Sequence, residues 1–146
     1  MRFKQLLILA ACVVALPVIS RADAPALRAI ATADYTEVHP ENVFEVTLSL
    51  QNLTGSVQRI KIPQSNWDRL WKSSNRHVTW DAWDSDDQTE TTVEIGPHET
   101  YEFPKTLRMF VDDSAKESHL DFRMGFRAAK FGKVIWSAPI TLDVIP

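Results

Sequence analysis

Over residues 44–51 apolar and polar side chains alternate without a fault. Phe44, Val46, Leu48 and Leu50 interleave with Glu45, Thr47, Ser49 and Gln51. A strand turns successive side chains to opposite faces, so this rhythm predicts a strand with one buried face and excludes an amphipathic helix. The rhythm returns at Leu120, Phe122, Met124 and Phe126. Weaker versions occupy 26–33, 57–62, 78–83 and 91–95. Tyr101 and Phe103 open a further strand, which Leu107, Met109 and Val111 carry past a bulge at Pro104. Val134, Trp136, Ile140, Leu142 and Val144 mark a last strand, and the outward Pro139 suits a terminal edge. Turn residues at 52–56 predict a hairpin between the strands at 44–51 and 57–62, and 39–42 reads as the turn after the first strand. Only Trp67, Leu70 and Trp71 show helical spacing, enough for a single turn.

About eight alternating strands with no long helix define an all-β chain. They predict a two-sheet, mostly antiparallel β-sandwich, with a closed barrel as the alternative. The expected core is Phe44, Val46, Leu48, Leu50, Ile60, Ile62, Trp80, Val93, Ile95, Phe103, Leu107, Leu120, Phe122, Met124, Phe126, Ile140, Leu142 and Val144.

The N-terminus has a different grammar. Arg2 and Lys4 precede an unbroken apolar run over 6–19, followed by Ser20, Ala22 and Ala24. That order is that of a secretory signal peptide, read as 1–22 with the cut between 20 and 24, and it leaves a single domain over 23–146. The run is too short to span a bilayer. The expectation is a secreted or periplasmic protein without a transmembrane segment after cleavage. Leu9-Ala10-Ala11-Cys12 resembles a lipobox, which gives the alternative of a lipid anchor through Cys12. Cys12 is the only cysteine, so the mature domain has no disulfide and no thiolate chemistry. Without Arg2, Lys4 and Arg21, 13 basic side chains face 19 acidic ones, a balance near −6 that disfavours nucleic acid.

Ile95-Gly96-Pro97-His98-Glu99-Thr100-Tyr101 resembles the aliphatic-x-Pro-x-x-x-Tyr corner of fibronectin type III and related immunoglobulin-like domains. The resemblance implies an immunoglobulin-like sandwich, such as occurs in bacterial exported domains. It also implies a structural role for Tyr101, whose hydroxyl would bond back to upstream backbone, with Phe103 as its core neighbour. In this chain two strands follow the corner, where that family has little more than one.

Residues 67–90 hold Trp67, Trp71, Trp80 and Trp83 among Asp68, Asp81, Asp84, Asp86, Asp87 and Glu90. Indoles stack on sugar rings and carboxylates accept hydroxyl hydrogen bonds, so Trp67, Trp71, Trp83, Asp81 and Asp84 are candidates for a glycan platform. Alternation sets Trp83 opposite Trp80, on the outer face. The competing reading makes the tryptophans core plugs and the acids a solvated loop. Asp84, Asp86 and Asp87 are calcium candidates, although the segment lacks the EF-hand Gly and Glu. His98 and His119 with Met109 and Met124 would suit copper, but both methionines fall on apolar faces. No catalytic motif is present: there is no nucleophile elbow, no zinc helix and no phosphate-cradling loop among four glycines. Asn52-Leu53-Thr54 fits a glycosylation sequon.

These features lead to an exported, cofactor-free, non-catalytic binding or protein-interaction domain, with a protein or a glycan as partner. A carbohydrate-binding module on 67–90 is one alternative. A protease-inhibitor-like sandwich presenting 112–118 is another.

Overall fold

A ten-residue strand, β3 (Val43–Asn52), organises the larger sheet of the computed structural model, which describes residues 26–128 and 132–146. The signal-like segment 1–22 and the lipobox at Cys12 lie outside the described residues. One edge of β3 is covered along its length by β1 (Leu27–Ala33), from Leu27 opposite Asn52 to Ala33 opposite Val46. Phe44, Val46, Leu48 and Leu50 are at most 2% exposed, as alternation predicts.

Among the described residues thirteen strands, most of them short, appear where about eight were expected, because several long runs break and change partner. The others are β2 (Glu37–Val38), β4 (Gln58–Pro63), β5 (Trp71–Ser73), β6 (Val78–Trp80), β7 (Glu90–Ile95), β8 (Thr100–Glu102), β9 (Leu107–Val111), β10 (His119–Phe122), β11 (Met124–Phe126), β12 (Ile135–Trp136) and β13 (Ile140–Val144). The five-stranded sheet runs β1-β3-β9-β6, with β8 also on β3. Two three-stranded sheets, β10-β13-β2 and β12-β11-β5, and the pair β4-β7 complete an all-β, almost wholly antiparallel architecture.

Two of these breaks have a visible chemical reason. Pro104 has no N–H to give a ladder, so β8 and β9 meet β3 in separate registers. The amide of Phe103 still reaches the Leu48 carbonyl at 3.0 Å. At Arg123 the backbone turns to Ser74, its N–H donating to Ser74 Oγ at 2.8 Å and its carbonyl accepting from the Ser74 N–H at 2.9 Å. Leu120, Phe122, Met124 and Phe126 all stay buried while their strand changes sheet.

Two expectations are corrected. The hairpin between 44–51 and 57–62 does not form. Among the described residues β4 pairs only with β7, Gln58 opposite Ile95 through to Pro63 opposite Glu90. Both edges of β3 are already taken by β1, β8 and β9. Asn52, fully buried, also turns the chain away, its Oδ1 accepting from the Thr54 amide and hydroxyl. The second correction concerns β13, which is not a terminal edge. It lies between β10 and a parallel partner, the two-residue β2. Pro139 falls in the gap before β13 rather than on a strand.

The sheets pack on one contiguous apolar core. Phe103 sits at its aromatic centre, with ring centroids 4.7 Å from Trp67, 5.4 Å from Trp71, 5.2 Å from Tyr101 and 6.2 Å from Phe126. Trp67 and Trp71 belong to this core although alternation did not place them there, and Trp80, Val93, Ile140 and Val144 are only half-buried.

Candidate functional site

After Trp80 the chain leaves the sheet and runs to Thr89 without regular structure. Polar groups just before and within the 3-10 turn Trp67–Leu70 fix its course. Asp68, fully buried, accepts the Trp83 amide at 3.1 Å and the Trp80 indole N–H at 3.4 Å on one oxygen. Asn66 donates to the Ser85 carbonyl at 2.8 Å, and the Ser65 hydroxyl donates to Asp87 at 2.8 Å. The Gln64 amide donates to the Thr89 carbonyl at 2.9 Å. Four neighbouring positions therefore lace one loop to the body of the molecule.

The tethered segment forms one wall of a cleft of about 500 Å³, within the range of ligand sites. Trp80, Asp81, Ala82, Trp83 and Asp84 make this wall, and Val43, Arg108 and Phe110 make the other. Val43 stands directly opposite Phe110 across β3 and β9 and is 48% exposed. The inner face of β9 is committed to the core through Leu107, Met109 and Val111, so Arg108 and Phe110 point outward.

Of the residues predicted for a site, Trp83, Asp81 and Asp84 come together here. Trp67 and Trp71 do not. At 2% and 4% exposure they are core residues and offer no face to a ligand. Trp83 does not stand opposite Trp80 on an outer face, because the strand ends at Trp80 and its alternation ends with it. The Trp83 ring packs edge-on against Trp67 at 4.9 Å and 85°, and the Lys105 ammonium lies 5.7 Å from its centroid. Sequence reasoning missed Val43, Arg108 and Phe110. The outward parity of Arg108 and Phe110 on β9 was readable, but their closeness to 80–84 depends on the pairing of β6 with β9.

The three calcium candidates do not share a site. Asp87 accepts the Thr89 amide and the Ser65 hydroxyl, and hydrogen bonding from the Thr89 side chain, its amide and Ser65 holds the Asp87 carboxyl below its ordinary 3.8. Asp84 is wholly exposed and lies 4.0 Å from Arg69. Asp86 is exposed. For copper, Met109 and Met124 are fully buried, and His119 Nδ1 pairs with Asp143 at 2.6 Å. Among the described residues no three acid, His or Cys side chains are placed to share a cation.

The 112–118 segment is held at both ends, by the Asp112 amide on the His77 carbonyl and the Val144 amide on the Ser118 carbonyl. Ser114 side-chain and backbone hydrogen bonds hold the Asp112 carboxyl below 3.8.

The corner at 95–101 is pinned differently from what the resemblance implies. The Tyr101 hydroxyl makes no hydrogen bond among the described residues, and desolvation raises its pKa above the ordinary 10.0. Asn52 holds the corner instead. Its Nδ2 donates to the carbonyls of Ser56 at 2.7 Å, Ile95 at 3.0 Å and Gly96 at 2.9 Å, and its backbone N–H donates to the Glu99 carbonyl. The sequon nitrogen is thus committed inside the fold.

No protein-family model matches the chain, and no curated protein matches it. Among the described residues no helix is long and apolar enough to cross a membrane.

Proposed function

We propose that this chain is an exported, non-catalytic protein-interaction domain of immunoglobulin-like sandwich type, and that the 80–84 cleft receives a side-chain anchor of its protein partner. The preformed cleft carries this reading. Buried Asp68 and Asn66 fix one wall, so the site exists before a partner arrives and little ordering cost is left to binding. Phe110 and Val43 supply apolar surface, with Arg108, Asp81 and Asp84 at the polar rim. That is the anatomy of an interface pocket. Export rests on the signal-like order of residues 1–22. The sandwich rests on several antiparallel sheets around one core, and its immunoglobulin-like type on the sequence resemblance of 95–101 alone.

A carbohydrate module is the second reading, favoured by Trp83, Asp81 and Asp84 sharing the cleft. It is weaker because Trp83 is engaged by Trp67 and approached by Lys105. The inhibitor reading moves the contact to 112–118, and a protease panel decides it.

Photo-crosslinking from position 110 in the native host tests the proposal. The expected result is a discrete protein adduct that disappears when Arg108→Glu is added. Quenching of tryptophan fluorescence by glycans, without any protein adduct, overturns it in favour of the sugar module.

A further inference from the structure

On another face of the molecule, among the described residues, β1 has a ladder partner on one side only. It is seven residues long, with no proline, no inward charge and an unbroken register against β3. Other open edges are short, such as β6 and β12, or carry charge, as β4 and β7 do through Arg59, Lys61, Glu90 and Glu94.

The ladder pattern identifies the unused groups on β1. The Leu53 amide bonds the Ala26 carbonyl, and the Asp34 amide bonds the Glu45 carbonyl. Antiparallel pairs alternate between bonded and non-bonded, so Arg28, Ile30 and Thr32 also bond toward β3. Leu27, Ala29, Ala31 and Ala33 therefore turn their N–H and C=O groups outward, and among the described residues these groups enter no strand pairing. Across from them, the Ser137 amide bonds the Met124 carbonyl, which by the same alternation turns the backbone of Trp136 away from β11.

Between these walls lies a groove of about 380 Å³ lined by Arg28, Ala29, Ile30, Ala31, Trp136 and Ala138. Trp136, 38% exposed, is seated over Gly125, where an added Cβ would meet its ring at 2.7 Å. Lys72 Nζ stands 5.0 Å from the Trp136 ring centroid. No acid lines the groove, although the chain as a whole is acidic.

We propose that the outer edge of β1 is a second docking surface, separate from the 80–84 cleft, that takes an extended acidic peptide as an added strand. A peptide backbone supplies alternating donors and acceptors at the spacing that Ala29 and Ala31 present. Arg28 and Lys72 select acidic side chains at its flanks, and Ile30 and Trp136 take an apolar one between them.

The test pans a phage-displayed random dodecapeptide library against the full chain, then titrates a selected synthetic peptide while following backbone amides by NMR. Expected are binders with alternating apolar residues and acidic flanks, shifts and exchange protection at Ala29, Ala31 and Trp136, and none at Trp83. Ala31→Pro removes one outward N–H and no β1–β3 bond, so it should weaken binding by at least about tenfold without moving the melting temperature. Arg28→Glu should abolish the acidic preference. If Ala31→Pro fails to fold, the amide map on the unaltered chain decides. An empty selection, binders without acidic flanks, or shifts confined to the 80–84 cleft overturn the proposal, and only the last supports the cleft reading. Self-association of the chain that occludes Ala29 and Ala31 overturns it in favour of a second copy.

Discussion

Asn52 Nδ2 donates to the Ile95 carbonyl at 3.0 Å, joining residues 43 positions apart. One primary amide so closes the end of β3, the 53–57 connection and the 95–99 corner at a single point. Asn52→Asp keeps the side-chain acceptor but removes the donors to three carbonyls and adds a buried charge. The expected loss is about 2–4 kcal/mol, read by urea denaturation, with a larger effect than Thr54→Val.

Tyr101 gives the opposite expectation. In a tyrosine corner the hydroxyl carries the bond that pins the turn. Here the hydroxyl makes no hydrogen bond among the described residues and the ring packs on Phe103. Tyr101→Phe should change stability by less than about 0.5 kcal/mol in thermal melts. A larger loss would return the pinning role to the hydroxyl.

Asp68 holds the cleft wall. Asp68→Ala leaves the Trp83 amide and the Trp80 indole N–H without their acceptor. The expected cost is about 1–3 kcal/mol, with red-shifted tryptophan emission as the 81–89 loop loosens. Asp68→Asn retains an acceptor oxygen and should cost less. Unchanged emission in Asp68→Ala would show that the loop does not depend on this carboxylate.

Acid should loosen the same loop. Asp87 is held below 3.8 in the folded chain, so its contribution is fully present above that pH and fades as pH falls through the lowered value. NMR titration should place the Asp87 midpoint below 3.8, with the Thr89 amide shifting in step. Ser65→Ala removes one of the bonds and should move that midpoint upward. A midpoint unmoved by this change would remove Ser65 from the account.

Alternation made the all-β class and most of the core legible, since burial of one strand face leaves a period of two whatever the topology. Topology was not legible. Nothing in 120–126 marks the change of sheet at Arg123, because its cause is Ser74, far away in sequence. In the sequence Asn52 reads as a turn residue and a sequon, and its role as a buried pin is hidden because it continues the buried parity of its strand as a polar residue. Trp67 and Trp71 were ambiguous because an indole beside an acid has the same composition in a core as in a site. Arg108 became a site residue only through the pairing that sets β9 beside β6.

β13 occupies the middle of its sheet, with β10 on one side and β2 on the other, although it is made from residues 140–144. A ribosome-tethered fragment that stops before Ile140 would leave Leu120 and Phe122 without the neighbour that covers them. Assembly of this sheet consequently waits for residues 140–144, which act as its keystone.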